Sequence, residues 1–529
     1  VDTLCCAASK QLEPLDEGSK LDASCAVHWR NHNTKFVRLG SLDIGGGYQP
    51  IVHGDCTCNQ VLSLRNRVLG NTVKPSSEGV ALLRRGLVRL KQGLPVVSPG
   101  DIFDLPLRHS GSKGRRYHDA AVDFCNFGST KFDARVTMFV KSERFNPHAK
   151  VNPDPRAVQF RSPRYCVQLA QYLRPCEEVL YQIDSVSDGV CRSRNVAKGM
   201  NSVERAETLV YKCRQFQNPV VISLDCTRFD KHVSPPLLGI EHQVYVHMCS
   251  DPIFRDLLRL QINNMGRTRS GISYKVRGRR MSGDMNTAIG NVVIMLVMFT
   301  TFCHTILKLS RWDCLDDGDD ILGIFEEADV QLVLARVEEV FRGFGMVVKV
   351  DKVAYELESV EFCQSKLVEF AAGKYKFVRR YQDVMSKGTT GIKNWQSQAY
   401  RKRTLAAIGM CELMLGMGVP VLQEYGSALL RIGGCKPDLK YAPDGLRLRY
   451  ERDYRLLKGV HLRPITQCAR ESFERAFGLS IVEQLALESR LRSWDLKNIV
   501  ISDIASEVDL TGWVIDQSTF DSYSQGQYE

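Results

Sequence analysis

The spacing of apolar and polar positions changes period several times along the chain, and each change marks a predicted element. Between Ser63 and Lys91, basic helical segments are broken by Gly70 and Pro75. A loop-rich region with Pro95, Pro99 and Pro106 follows and ends in "RHSGSKGRRYHDAAVDFC". From Val136 to Tyr165, short extended pieces alternate with proline turns. Val220, Val221, Ile222 and Leu224 form an apolar, β-branched run that predicts a buried strand ending at Asp225, with a helix from Pro235 to about Met248. An amphipathic stretch covers Phe254 to Ile262, and the alternation Ile272, Tyr274, Val276 predicts a hairpin strand. Ser282-Gly283 reads as a flexible loop that leads into a helix with Thr287 and Asn291 on one face. Ala288 to Phe302 is the most apolar run; it is too short for a comfortable membrane span and reads as a buried core helix. Val330 to Phe344 predicts a helix closed by Gly345, followed by the strand "MVVKVDK" and the segment "VEFCQSKLVEF". From about Lys376 the pattern is mostly helical, with Arg401, Lys402 and Arg403 on a solvent or nucleic-acid face. The first 60 residues, with Gly45-Gly46-Gly47, say little, and no internal repeat or low-complexity tract is visible.

Size and charge narrow the picture. A chain of 529 residues exceeds one ordinary core, so two or three substructures around a shared cleft are expected. Hydrophobic residues at 44% and charged residues at 25% exclude a disordered chain. A net charge of +11 favours a polyanionic partner. The 18 cysteines are scattered singly and read as reduced thiols of a cytosolic setting. One local group, His53, Cys56 and Cys58, is either part of a zinc site or a turn with two ordinary cysteines. The chain opens on Val1 without a signal peptide, which suggests a processed or trimmed product, and no transmembrane segment is expected. The absence of a Gly-x4-Gly-Lys-Ser/Thr run excludes a P-loop nucleotide hydrolase.

The chemistry concentrates in "LDDGDDILGIF", from Leu315 to Phe325. Four carboxylates around Gly318 repel one another far more than any strand propensity compensates, so the cluster gains little for local structure. It reads as an acidic turn or as a hairpin tip that holds divalent cations. A second acidic site decides between them: the buried strand that ends at Asp225, with Asp230 five residues on. Carboxylates from separate strands suit two-metal catalysis of an in-line displacement at phosphorus. Asp225 and Asp319 are the expected bridging ligands of two Mg²⁺ ions, with Asp320 supporting and Mn²⁺ able to substitute. Asp316 and Asp317 are expected to be solvated or salt-bridged, not ligands. Lys141, Arg144, Lys150, Arg156, Arg161 and Arg164 lie on the proline-bounded pieces and suit a channel wall that meets phosphates.

In order and wording, "LDCTRFDKHVS", "GISYKVRGRRMSGDMNTAIGN", "DDGDDILGIF" and "VEFCQSKLV" resemble the palm motifs of viral RNA-dependent RNA polymerases, most closely those of the tombusvirus family. "FVKSERF" with "DPRAVQFRSPRY" resembles the nucleotide-guiding fingers motif, and "SGSKGRRYHDAA" the template-entry region. The resemblance runs discontinuously from about Ser110 to Lys387. It implies an α+β closed right hand: an N-terminal region with fingertips over 1–135, fingers over 136–218, a palm over 219–375 with a fingers insertion near 249–280, and a helical thumb over 376–529. It further implies that Lys141, Arg156 and Arg161 hold the incoming triphosphate. Asp230, Ser282, Thr287 and Asn291 would read the ribose 2′-hydroxyl, Gly283 would belong to the same nucleotide site, and Lys349 or Lys352 would serve as general acid. The implied partners are an RNA template and product duplex, ribonucleoside triphosphates and a viral accessory replication protein. The implied location is host cytoplasm, at membrane sites reached through that partner. The rival readings are a reverse transcriptase, disfavoured by the polar pocket, and a non-catalytic RNA-binding protein.

Overall fold

The computed structural model describes residues 12–27, 47–48, 50, 52–109, 111–149, 153–184, 186, 190, 192–388, 390–391, 397–454, 462–495 and the backbone of 37–38 and 502–503. Gly45, Gly46 and Lys150 lie outside them. The apolar run at 220–224 forms the centre of the strand Pro219–Cys226. It pairs antiparallel with Asp320–Glu326 on one side and Val348–Ala354 on the other, and Trp312–Asp316 completes a four-stranded sheet.

Alternation along this strand explains why the run is unbroken. Val220, Ile222 and Leu224 face one apolar cluster, with Val292, Leu296, Val333 and Phe341 from the helices Thr287–Thr300 and Val330–Gly343. Val221 faces another, with Leu209 of the helix Ser202–Cys213 and Leu367 and Phe377 of a three-stranded sheet. A sheet covered on both faces has no polar side, so its strands carry apolar residues at successive positions. The predicted core helix is buried from Ile289 through Thr300. With its continuation to Ile306 it is long and apolar enough to cross a membrane, yet 83% of that window is buried inside the protein.

A second, five-stranded sheet joins Lys20–Asp22, Ser273–Arg277, Asn263–Thr268, Val136–Val140 and Ala157–Phe160 in that order. It is antiparallel except where Val136–Val140 meets Asn263–Thr268. The last part is helical: Gln398–Gly416 and Leu422–Gly433 approach so closely that a Cβ at Gly426 would lie 2.3 Å from the Leu413 nitrogen. Only glycine tolerates that approach.

Two sequence expectations change here. "GSKGRRYHDAAVDFCNF", placed at the end of a loop-rich region, is a 17-residue helix that buries Gly114, Tyr117, Ala120 and Ala121. The strand Lys374–Arg379 runs across the expected boundary at 375/376 and completes the three-stranded sheet with Glu361–Phe362 and Ser365–Ala371. The described cysteines are free thiols, as expected.

The edge strand Trp312–Asp316 is anchored by a fully buried ion pair. Lys212 Nζ stands 2.8 Å from Asp313 Oδ1, which also accepts from Asn195 Nδ2 at 2.9 Å and from the Cys314 N–H at 2.7 Å. Breaking such a pair strands a buried charge. Lys212→Met is therefore expected to lower unfolding free energy by about 3–5 kcal/mol in denaturant titration, and Lys212→Met with Asp313→Leu by less. Equal losses in the two variants would show that packing, not the stranded carboxylate, sets the cost.

Candidate active site

Strand register brings the two acidic sites together. Asp225 lies directly across from Asp320 on the neighbouring strand, and the Cys226 N–H reaches the Asp319 carbonyl at 3.3 Å. Gly318 turns the hairpin with φ of 101°, a conformation that L side chains resist. A Cβ there would also come within 3.3 Å of Asn291 Cβ, so the hairpin tip rests on the core helix. Asp319 is exposed, while Asp225 and Asp320 are half-buried. Burial, then the charges of Asp319 and Asp225, push the Asp320 carboxyl up to about 7.

The two preceding aspartates have different fates. Asp317 meets Lys198 at 2.9 Å and Arg205 at 3.0 Å, and accepts from the Cys363 thiol at 2.9 Å. Burial opposes its ionisation, but Arg205 and Lys198 outweigh it and hold the carboxyl below its usual range. Asp316 is neither solvated nor salt-bridged, contrary to expectation. It is fully buried, Oδ1 accepts from the Gly318 N–H at 2.8 Å, and burial pushes its carboxyl well up toward the neutral form.

Asp230 sits beside this hairpin and accepts from Asn291 Nδ2 at 3.0 Å. Arg280 Nε donates to Asn291 Oδ1 at 3.0 Å, and its guanidinium pairs with buried Glu241, which accepts from Asn286 at 2.6 Å. Burial and, secondarily, the Asp319 charge raise the Asp230 carboxyl against the pull of Asn291, Arg280 and Arg156. The Ser282-Gly283 loop is pinned, not flexible. Ser282 Oγ donates to the Ala157 carbonyl at 2.9 Å, the Gly283 N–H to the Gln159 carbonyl at 2.7 Å, and a Cβ on Gly283 would lie 2.5 Å from that oxygen. Thr287 Oγ1 donates to the Met281 carbonyl at 3.0 Å. Asp230 and Asn291 therefore meet directly, whereas Ser282 spends its hydroxyl on the backbone of the strand Ala157–Phe160 and Thr287 on that of the loop.

The predicted cations divide in the same way. Lys141 and Arg156 are half-exposed and share Glu143, at 3.5 and 3.1 Å. Arg161 is enclosed: it pairs with Asp284 at 2.6 Å and donates to Asn264 at 2.7 Å and to the Ala134 carbonyl at 2.6 Å. Its charge is committed to holding the 281–286 loop against the second sheet. Arg144 donates to the Lys387 carbonyl and, at 2.8 Å, to that of Thr390. Lys349 stands opposite Asp225 and Lys352 opposite Ser223, because an irregularity at Asp351 shifts the register. Both lysines thereby share the sheet face of Asp225 and both are exposed.

Sequence reasoning missed Glu143, Lys198, Arg205, Glu241 and Arg280. Arg280 lies inside the quoted "GRRMSGD" run, and its neighbour Arg279 turns instead to Asp16 at 2.6 Å. Nothing in "NVAKGM" marks Lys198 before the fold brings it to the hairpin.

Hard oxygen donors in Asp225, Asp319 and Asp320 match Mg²⁺ or Mn²⁺, and the repulsion that adds to burial in raising Asp320 is what a divalent cation relieves. No three His, Cys, Asp or Glu side chains converge as a closed metal cage among the described residues. Mg²⁺ needs none, because it commonly binds one or two carboxylates and completes its shell with substrate phosphates and water. In the His53 group, His53 stacks on Phe145 at 5.0 Å, Cys56 caps the helix Thr57–Leu64, and Cys58 is buried within that helix.

A mixed α and β fold with antiparallel sheets, whose adjacent strand ends carry the acidic residues, is consistent with the polymerase class. The family model described as viral RNA dependent RNA polymerase matches residues 45–498, and the chain belongs to that family. It is 34% identical over 402 residues to the RNA-directed RNA polymerase of groundnut rosette virus (strain MC1), covering 74% of this chain and 46% of the relative. To that of tobacco necrosis virus (strain D) it is 33% identical over 411 residues, 76% and 56% of the two chains. To that of carnation mottle virus it is 31% identical over 466 residues, 84% and 59%. The chain spans about half the length of the curated relatives it matches.

The raised Asp320 carboxyl sets a pH dependence with a definite sign. Unfolded, the group releases its proton near 3.8; folded and without a cation, it keeps it to about 7. Its contribution to stability is present at low pH and lost as pH rises through that value. In chelator, the melting temperature is expected to fall between about pH 4 and pH 7, and Asp320→Asn to flatten the fall. An unaltered profile in the variant would remove Asp320 from this role.

Proposed function

We propose that this chain performs RNA-templated RNA synthesis from ribonucleoside triphosphates, as the polymerase part of a positive-strand virus replicase. The observation that carries the reading is the register that sets Asp225 against Asp320, beside Asp319 and the Asp230–Asn291 pair. Two Mg²⁺ ions, or Mn²⁺, held by Asp225 and Asp319 with Asp320, would activate the attacking 3′-hydroxyl and neutralise the triphosphate. Lys141 and Arg156 then exchange Glu143 for the incoming phosphates, a trade of one anion for another at half-exposed side chains. Asp230 and Asn291 read the ribose 2′-hydroxyl. Ser282, Gly283, Thr287 and Arg161 hold the loop that shapes this pocket. Lys349 or Lys352 gives a proton to the departing pyrophosphate, with Lys349 favoured by its place opposite Asp225.

In this reading the four-stranded sheet is the palm, the five-stranded sheet belongs to the fingers with 263–277 as their insertion, and the helical part is the thumb. A closed hand is supported by ties from the N-terminal region and the fingers to the thumb. Arg144 reaches the Lys387 and Thr390 carbonyls, and Tyr48 bonds to Asp383 and to Ser386. The partners are RNA template and product duplex, with an accessory viral protein that brings the chain to membrane sites in host cytoplasm.

The test is incorporation of labelled ribonucleotides on an unstructured RNA template with Mg²⁺ or Mn²⁺. The parent chain is expected to make template-dependent product, and Asp319→Ala to lose it. A folded, RNA-binding parent that makes none even with its viral partner would overturn the proposal. Asp230→Ala is expected to relax ribose-over-deoxyribose selection more than it lowers template affinity. Equal loss of both nucleotide types would instead make Asp230 a support of the fold.

A further inference from the structure

Asp317 is a carboxylate that the metal site does not use, fixed within two residues of one that it does. Its side chain is 10% exposed and is gripped by two cations from a segment about 115 residues earlier, Lys198 at 2.9 Å and Arg205 at 3.0 Å. Lys198 is held there by backbone as well as charge. The chain at 195–197 runs alongside the edge strand, with the Asp316 N–H on the Asn195 carbonyl and the Ala197 N–H on the Asp316 carbonyl, each at 2.7 Å. Its ammonium would lie 4.0 Å from a Cβ at Gly318, next to the backbone that leads to Asp319. Arg205 is locked from the other side by its helix Ser202–Cys213 and by the face of Phe362, 5.7 Å away. The third partner, Cys363, sits in a tight turn where both it and Gln364 have positive φ, of 51° and 59°. L side chains resist that conformation, and the contact at 2.9 Å between the Cys363 thiol and Asp317 ties the turn to the hairpin tip.

We infer that Lys198, Arg205 and Asp317 form a counter-charge clamp that positions the acidic hairpin and sets how tightly Asp225, Asp319 and Asp320 hold a divalent cation. The inference rests on the polymerase reading for the identity of the metal site. The clamp has two cations and one anion, so it places a net positive charge beside the three carboxylates. At an effective dielectric of roughly 50, one charge about 10–15 Å from a divalent cation changes its affinity by about threefold to tenfold. Lys198, Arg205 and Asp317 are positioning residues, not ligands.

Charge and mere bracing predict different signs. Removing a clamp cation makes the site more negative, and removing the clamp anion makes it more positive; loss of a brace loosens the site in both cases. Mn²⁺ binding to the purified chain, read by electron paramagnetic resonance without nucleotide or template, separates them. Lys198→Met is expected to tighten Mn²⁺ binding about threefold to tenfold, and Asp317→Asn to weaken it by a similar factor. Lys198→Arg, which keeps the charge, is expected to bind as the parent does. Arg205→Gln repeats the first test at a second position should Lys198→Met misfold, with melting temperature reporting the fold in each variant. Shifts in the same direction for the cation and anion variants, or unchanged affinity with a lowered melting temperature, would overturn the clamp. A parent that binds no Mn²⁺ at the Asp319 site would overturn it too. Opposite shifts in a chain that makes no RNA would instead leave the clamp standing and tell against the polymerase reading.

Discussion

Three carboxylates share the ends of two neighbouring strands, and the charges of Asp319 and Asp225 add to burial in raising the cost of ionising Asp320. In water that repulsion is slight; beside a packed core, two unit charges about 4 Å apart cost on the order of 4 kcal/mol. The surroundings of the hairpin can be understood as responses to that cost. Asp320 retains a proton toward neutral pH, Asp316 is buried in a form that favours its proton, and Asp317 is matched with two cations. The acidic run is therefore not one uniform patch: its neighbouring carboxylates have been given separate electrostatic environments by backbone direction and by the segments packed against each.

Behind the site, buried ion pairs do the positioning. Arg161 with Asp284, Arg280 with Glu241 and Lys212 with Asp313 lie at different places round the sheet and loop, and each is satisfied by further hydrogen bonds. Such pairs add little net stability relative to apolar packing, but each is costly to break, so they define one arrangement and penalise its neighbours. The proposed chemistry needs that definition more than it needs stability, since carboxylates on separate strands must keep a common geometry.

Much of the central sheet was legible because its signals are local. The β-branched run ending at Asp225, the helix from Pro235 and the glycine after Phe344 each act within a few residues, and the structure has the strand, the helix Pro235–Met248 and a positive φ at Gly345. Polar partners were less legible. Arg161 and Arg156 lie in the same short motif, yet one is buried against Asp284 and the other half-exposed beside Glu143, 13 residues before it. Strand direction and tertiary packing separate them, and neither is written in spacing. The 111–127 helix was hidden for a related reason: glycines and charges obscure its apolar stripe, which is completed by Cys166 and Val167 from another helix.

The core helix carries a consequence for the chain's history rather than its finished form. Thr287–Ile306 packs against residues that extend to Phe344, Met346 and Val348. During synthesis the segment emerges first, and at about 5–20 residues per second its covering residues follow only seconds later. Through that interval a stretch apolar enough for a lipid bilayer is without part of its own protein shell. Folding of this domain is thus a race between self-burial and capture by any apolar surface nearby, and the order of the segments along the gene decides how long the race lasts.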